Sequence, residues 1–87
     1  MNLQEDLKKI AEKVRQYRDE ARVQLHLARE DVRDEWDDLE AEWERFRQRL
    51  DRILHDASEA TQEARESAHK VGTELRDRYE KLRDRLK

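Results

Sequence analysis

Apolar residues recur along this chain in steps of three or four. Leu3, Leu7, Ile10, Val14, Tyr17, Ala21, Leu25, Ala28, Val32, Trp36 and Leu39 begin the series. Trp43, Phe46, Leu50, Ile53, Ala57, Ala60, Ala64, Ala68, Val71, Leu75, Tyr79, Leu82 and Leu86 complete it. These 24 positions span 83 residues in 23 steps, a mean of 3.61, and hold most of the 30 hydrophobic residues in the chain. A period of 3.6 places all of them on one side of a helix, so the spacing predicts almost unbroken helix with a single narrow apolar seam. Consecutive steps of four at 17–21–25, 28–32–36, 60–64–68 and 71–75–79 interrupt a strict heptad. Such insertions relax the left-handed supercoil that heptads favour, and predict nearly straight helices.

One helix of this length would extend roughly 130 Å with its seam in water, so the chain must fold back or pair. A reversal is expected in "RILHDASEAT", residues 52–61. There Asp56 and Glu59 have capping-box spacing, and Ser58 is a second candidate N-cap. Gly72 is the rival break, but the seam continues on both of its sides. The expected fold is all-α, a long antiparallel helical hairpin in one domain: a helix over 3–55, a bend near 55–58 and a helix over 58–86. The shorter arm leaves Leu3, Leu7, Ile10, Val14 and Tyr17 overhanging, and an unpaired apolar seam predicts association, here as an antiparallel homodimer. The alternative is a three-helix bundle with a second bend near 28–31. It covers the seam within one chain, but "HLAREDVRDEW" has only Asp31 or Asp34 as a cap and no helix breaker.

Charge bears on the same choice. Residues 30–44 carry nine acids and one base, Arg33. Like charges four apart, such as Asp34–Asp38 and Glu40–Glu44, each oppose an isolated helix by about 0.2–0.5 kcal/mol. The segment needs a basic neighbour. A hairpin centred near 56 sets residue i opposite 112 − i, so 30–44 faces 68–82, where Lys70, Arg76, Arg78 and Lys81 slightly outnumber the acids.

Composition then narrows the function. The chain has 87 residues, 49% of them charged, with one glycine, no proline and no cysteine. Turn-poor, charge-rich composition with helical period belongs to long helices and coiled coils, not to β-structure. Without cysteine there is no disulfide frame, thiolate metal site or cysteine nucleophile. The opening "MNLQEDLKKI" lacks an apolar signal segment, so a cytoplasmic protein is expected. A net charge of −3 gives no argument for nucleic acid. Trp36 and Trp43, with Leu39, Phe46 and Leu50, lie on the seam among acids. Base stacking would require cations interleaved with the aromatics, so core packing is the expected role. His26, His55 and His69 have neither metal-ligand spacing nor a carboxylate cluster around them. No nucleophile–base set or phosphate loop is present, and neither a cofactor nor a catalytic residue is assigned.

Two resemblances add to this reading. The segment "EARVQLHLAREDVRDEWDDLEAEWERFR", residues 20–47, resembles small bacterial coiled-coil proteins that carry a VxLHLA…DEWxxLExxW pattern. That likeness implies a bacterial, mostly cytosolic origin and supplies no catalytic residue, cofactor or substrate. "ASEATQEARES", residues 57–67, is similar in composition to the eleven-residue repeats of stress-protective, late-embryogenesis-type proteins, which become helical on drying or on lipid. The terminal "LRDRYEKLRDRLK" also has the amphipathic form of a membrane-surface helix, with Leu75, Tyr79, Leu82 and Leu86 on one face. The function expected is a non-enzymatic coiled-coil scaffold that homo-oligomerises through the stripe, partnered by itself or another helical protein. The residues expected to carry it are Trp36 to Leu50 for stability and Leu3 to Tyr17 for association. A membrane-surface or stress-protective helix is the alternative. Replacing Trp43 with Ala should destabilise the fold by about 3–5 kcal/mol in chemical denaturation; a change below about 1 kcal/mol would remove Trp43 from the core.

Overall fold

The helical period is realised in three pieces. A computed structural model describes residues 2–86, with helices α1 (Leu3–Gln24), α2 (Glu30–His55) and α3 (Gln62–Arg85). The molecule measures 43 × 22 × 16 Å, and a helix of α2's length extends about 39 Å, so the three helices lie side by side. Contacts fix their directions. Arg18 meets Glu40 and Arg78 meets Glu42, which makes α2 antiparallel to both neighbours. Arg83 meets Glu20, so α1 and α3 run parallel. The all-α class is as the stripe predicts, and the arrangement is the three-helix bundle.

The expected continuous helix over 3–55 is therefore corrected. It is interrupted at residues 25–29 by a single 3₁₀ turn (Leu25–Leu27) and an extended Ala28 with φ −78° and ψ 147°. The cause is burial. Leu7 and Val14 are fully buried and Ile10 nearly so, each worth about 1.5–3 kcal/mol out of water. Breaking one helical turn forgoes a few hydrogen bonds at a net of about 1 kcal/mol each. Folding back wins, and the overhang expected at Leu3 to Tyr17 does not exist: Leu7, Ile10 and Val14 are core, while Leu3 and Tyr17 are half-buried. Arg29, not Asp31 or Asp34, occupies the N-cap position of α2, and its side chain makes no cap bond. Glu30 and Asp31 in the first turn complement the helix dipole instead. Arg33 donates to the His26 carbonyl at 3.3 Å and ties the turn to α2.

The other reversal is longer than the sequence suggests. Residues 56–61 form the connection, and α3 starts only at Gln62. Thr61, rather than Asp56 or Ser58, is the N-cap, its hydroxyl accepting from the Ala64 amide at 3.1 Å. Asp56 instead forms a local turn, accepting from the Ser58 amide at 3.0 Å and the Ser58 hydroxyl at 2.7 Å. The extra residues move the register. Glu42 meets Arg78 and Glu35 meets Arg85, so residue i lies opposite 120 − i, a shift of eight from the expected pairing.

The core is asymmetric. α1 packs most closely on α3, and α1 and α2 approach each other least. Small buried residues, Ala11, Ala68 and Gly72, lie on α1 and α3, whereas α2 contributes Trp36, Trp43 and Phe46. The Trp36 and Tyr79 rings meet edge to face at 5.9 Å, and Trp43 lies 6.0 Å from Phe46. Of the predicted stripe only Ala57 and Val71 are exposed, and Gly72 takes the buried place beside Val71.

Gly72 sits where all three helices meet. A Cβ there would fall 2.9 Å from the Phe46 ring and 3.0 Å from Ile10 Cγ2, closer than packed atoms tolerate. Glycine inside a helix costs about 1 kcal/mol relative to alanine, yet overpacking a filled core costs about 1–3 kcal/mol. Gly72→Ala should therefore leave the protein no more stable, and less stable by up to about 2 kcal/mol, in urea denaturation. Combining it with Phe46→Leu should cost less than the two changes summed. A clear gain from Gly72→Ala would show that the ring has room to move.

Candidate interaction surface

Of the residues expected to carry association, Leu7, Ile10 and Val14 are in the core and Tyr17 packs against it, while Leu3 is half-buried. They meet Trp36, Leu39, Trp43, Phe46 and Leu50, which form the inward face of α2. The face of α3 that could have lain on a membrane is also turned inward, with Leu75, Tyr79 and Leu82 buried. No helix among the described residues is long and apolar enough to cross a membrane. What the molecule offers a partner is its charged exterior, open grooves between its helices and a few aliphatic side chains. The most exposed of these are Val23 and Leu27, beside the first turn.

Charge at the helix boundaries is organised in pairs. Arg18 forks onto Glu40, Nε at 3.1 Å from Oε1 and Nη2 at 2.7 Å from Oε2, with only 15% of its side chain exposed. The same guanidinium lies 5.2 Å above the Trp43 ring, with Arg15 at 5.8 Å from it. On the α1–α3 side Arg83 donates to Glu20 at 2.8 Å and covers the Tyr17 ring at 4.5 Å. These cations serve twice, as ion-pair donors and as lids on aromatic faces. Arg18 and Arg83 escaped the sequence reading because the stripe marks only apolar residues. The signal available was their position immediately after Tyr17 and Leu82 on the seam's edge.

The acidic segment thus draws its basic neighbours from two helices. Glu40 is held by Arg18, with Arg22 at 4.0 Å, while Glu42 and Glu35 bind Arg78 and Arg85 of α3. Glu44 pairs within α2 to Arg47 at 2.6 Å, and that hydrogen bond holds its carboxyl below the usual range. The acids on the outer face of α2, Glu30, Asp34, Asp37 and Asp38, have no ion-pair partner among the described residues. Arg45 and Arg52, farther along the same helix, have none either.

Between α2 and α3 runs an open groove of about 620 Å³, floored by Phe46, Val71 and Leu75. Arg45, Arg49, Arg52 and Arg78 stand on its rim with Glu42, Gln48 and Glu74. A smaller groove of about 460 Å³ between α1 and α2 is lined by Arg15, Arg18, Glu40, Trp43 and Arg47. His26 and His55 are exposed and His69 half-buried. No group of three or more metal-ligating side chains gathers among the described residues. Comparison with protein-family models, with curated proteins and with solved structures finds no match.

Tyr79 brings a hydroxyl into the core. Its hydroxyl is buried without a hydrogen bond of ordinary geometry. Burial, and then the Glu40 carboxylate, push its pKa well above the usual tyrosine value, with Arg18 opposing. A folded-state pKa above the unfolded one means that the neutral phenol's contribution is complete below about pH 10 and is lost as pH rises beyond it. Stability should fall above about pH 10, by up to about 1.4 kcal/mol per pH unit from this group. Tyr79→Phe should be neutral or stabilising by up to about 1 kcal/mol at neutral pH and should flatten that alkaline decline. Denaturation midpoints at neutral and alkaline pH check both, and a parallel decline in the variant would exonerate Tyr79.

Proposed function

We propose that this chain is a non-enzymatic helical scaffold that self-associates and binds other helical proteins through its charged exterior. The observation that carries this reading is the division of labour between its residues. The apolar stripe is enclosed within one chain, while opposite charges on the outside of α2 lack intramolecular partners. Tyr79 and Arg83 have displaced proton affinities for structural reasons, burial in the first and the hydrogen bond to Glu20 in the second. The grooves are open clefts between helices, lined by arginine and carboxylate. A rim of four arginines over Phe46, Val71 and Leu75 suits an acidic helix laid along α2 and α3.

Association through such a surface differs from association through the stripe. Exposed ion pairs contribute about 0–1 kcal/mol each and weaken as salt shortens the screening length. The assembly should therefore be modest in affinity and salt-sensitive. Sedimentation equilibrium over a concentration series should show the weight-average mass rising above the monomer's 10.7 kDa at low ionic strength, with helicity unchanged. A constant monomer mass at every concentration would overturn the self-associating reading.

A further inference from the structure

We propose that the outer face of α2 is a self-complementary docking surface, on which a second copy of this chain lies antiparallel with Ala41 at the two-fold axis. This rests on the self-associating reading and names the surface it uses. Glu30, Asp34, Asp37, Ala41, Arg45, Gln48 and Arg52 are all exposed. At 100° per residue they fall within about 40° of one line, on the side of α2 opposite Trp36, Leu39 and Trp43. Their spacings from Ala41 are four, seven and eleven residues in each direction. Every charge before Ala41 on this line is negative and every charge after it is positive.

Reversing a second copy about Ala41 brings Glu30 against its Arg52 and Asp38, on the flank of the line, beside its Arg45. Glu44, on the opposite flank, is already held by Arg47. Because the operation is two-fold, each pair occurs twice and the interface closes on itself. A parallel pairing would instead set acid against acid and base against base. Alanine at the axis lets the two backbones approach where no charge need be desolvated.

The helix dipole gives a competing account, since acids favour a helix N-terminus and bases a C-terminus. That effect falls off within the first and last turn. It covers Glu30 and Arg52 but leaves Asp34, Asp37, Asp38 and Arg45, which are more than one turn inside α2. Like charges four apart, such as Asp34 and Asp38, oppose the helix that carries them. Glu35, Glu40 and Glu42 of the same segment have found cations on α1 and α3; Glu30, Asp34, Asp37 and Asp38 have none among the described residues. The unpaired cations that a second copy would bring to Glu30 and Asp38 are Arg52 and Arg45.

Two surface variants test the charge pattern by sedimentation equilibrium, with circular dichroism confirming the fold. Arg45→Glu with Arg52→Glu makes the line wholly acidic, and Glu30→Lys with Asp38→Lys makes it predominantly basic. The wild type should dimerise near 0.01 M salt and dissociate toward 1 M, as the screening length falls from about 30 Å to about 3 Å. Each variant alone should be monomeric, and their equimolar mixture should form a heterodimer. Orientation is read by cross-linking, since the chain has no cysteine. Ala41→Cys should form a disulfide-linked dimer, whereas two copies of Gln48→Cys would lie about 21 Å apart, too far to bridge. A dimer that survives both charge variants, or Gln48→Cys linking as readily as Ala41→Cys, would overturn the α2 surface and leave the scaffold reading standing. A wild type that stays monomeric would overturn the self-associating reading itself, and this surface with it.

Discussion

The architecture turns on the point where Ile10, Phe46 and Gly72 meet. One residue from each helix converges there, and the absent Cβ of Gly72 leaves the space that the Phe46 ring and Ile10 enter. With so few large apolar residues, the chain has no wide hydrophobic face to share among three helices. It achieves a closed core by making one helix pair close and giving the bulk to the third. Ala11, Ala68 and Gly72 let α1 and α3 approach, and the α2 aromatics fill the cleft that remains. An even distribution of leucines would fit the same period but not the same unequal spacing. The single glycine therefore serves packing within a straight helix rather than a turn.

Charge completes what the narrow seam leaves open. A stripe one residue wide cannot exclude water from its own edges, and the side chains that cover those edges are arginines. Arg18 lies over Trp43 and Arg83 over Tyr17, their guanidinium groups covering the rings and held in place by Glu40 and Glu20. Arginine suits this position better than lysine because its planar, weakly hydrated group can stack and form two parallel hydrogen bonds together. The pairs also fix the register between helices, since Glu35, Glu40 and Glu42 each have a cation on a particular neighbour. The acidity of α2, unfavourable for an isolated helix, becomes a reason for it to occupy its place between two others.

The sequence shows the stripe, its one-sided burial and the role of both tryptophans without ambiguity, because a 3.6-residue period survives in any context. It does not show how many times the stripe folds. At residues 25–29 the chain reverses through a 3₁₀ turn while Leu25 and Ala28 remain packed against the core. The periodicity runs through the turn uninterrupted, and no proline, glycine or capping side chain marks it. The deciding force was the burial of Leu7, Ile10 and Val14, a tertiary term that no local signal encodes. The need of residues 30–44 for cations was legible, but its direction was not. Half of the answer comes from α1, which can reach Glu40 only after the unannounced turn. The charge line centred on Ala41 is present in the sequence as plainly as the stripe. It gains meaning only when the structure shows which carboxylates are already paired.

Folding back changes what the remaining surface can be for. A hairpin with an exposed seam would associate by hydrophobic burial and would tolerate many helical partners, because apolar contact has little directional content. With the seam closed, recognition falls to charges in water, where each contact is weak and only a pattern of several can select a partner. Such a surface exchanges affinity for reversibility and for dependence on ionic strength. The opposed charges of α2 would be a pattern of this kind, held on the longest helix with the aromatic core behind it. A line of charges could select a partner only if the helix that carries it cannot turn, so the packing that holds α2 in place and the charge pattern on its outside are consequences of one arrangement.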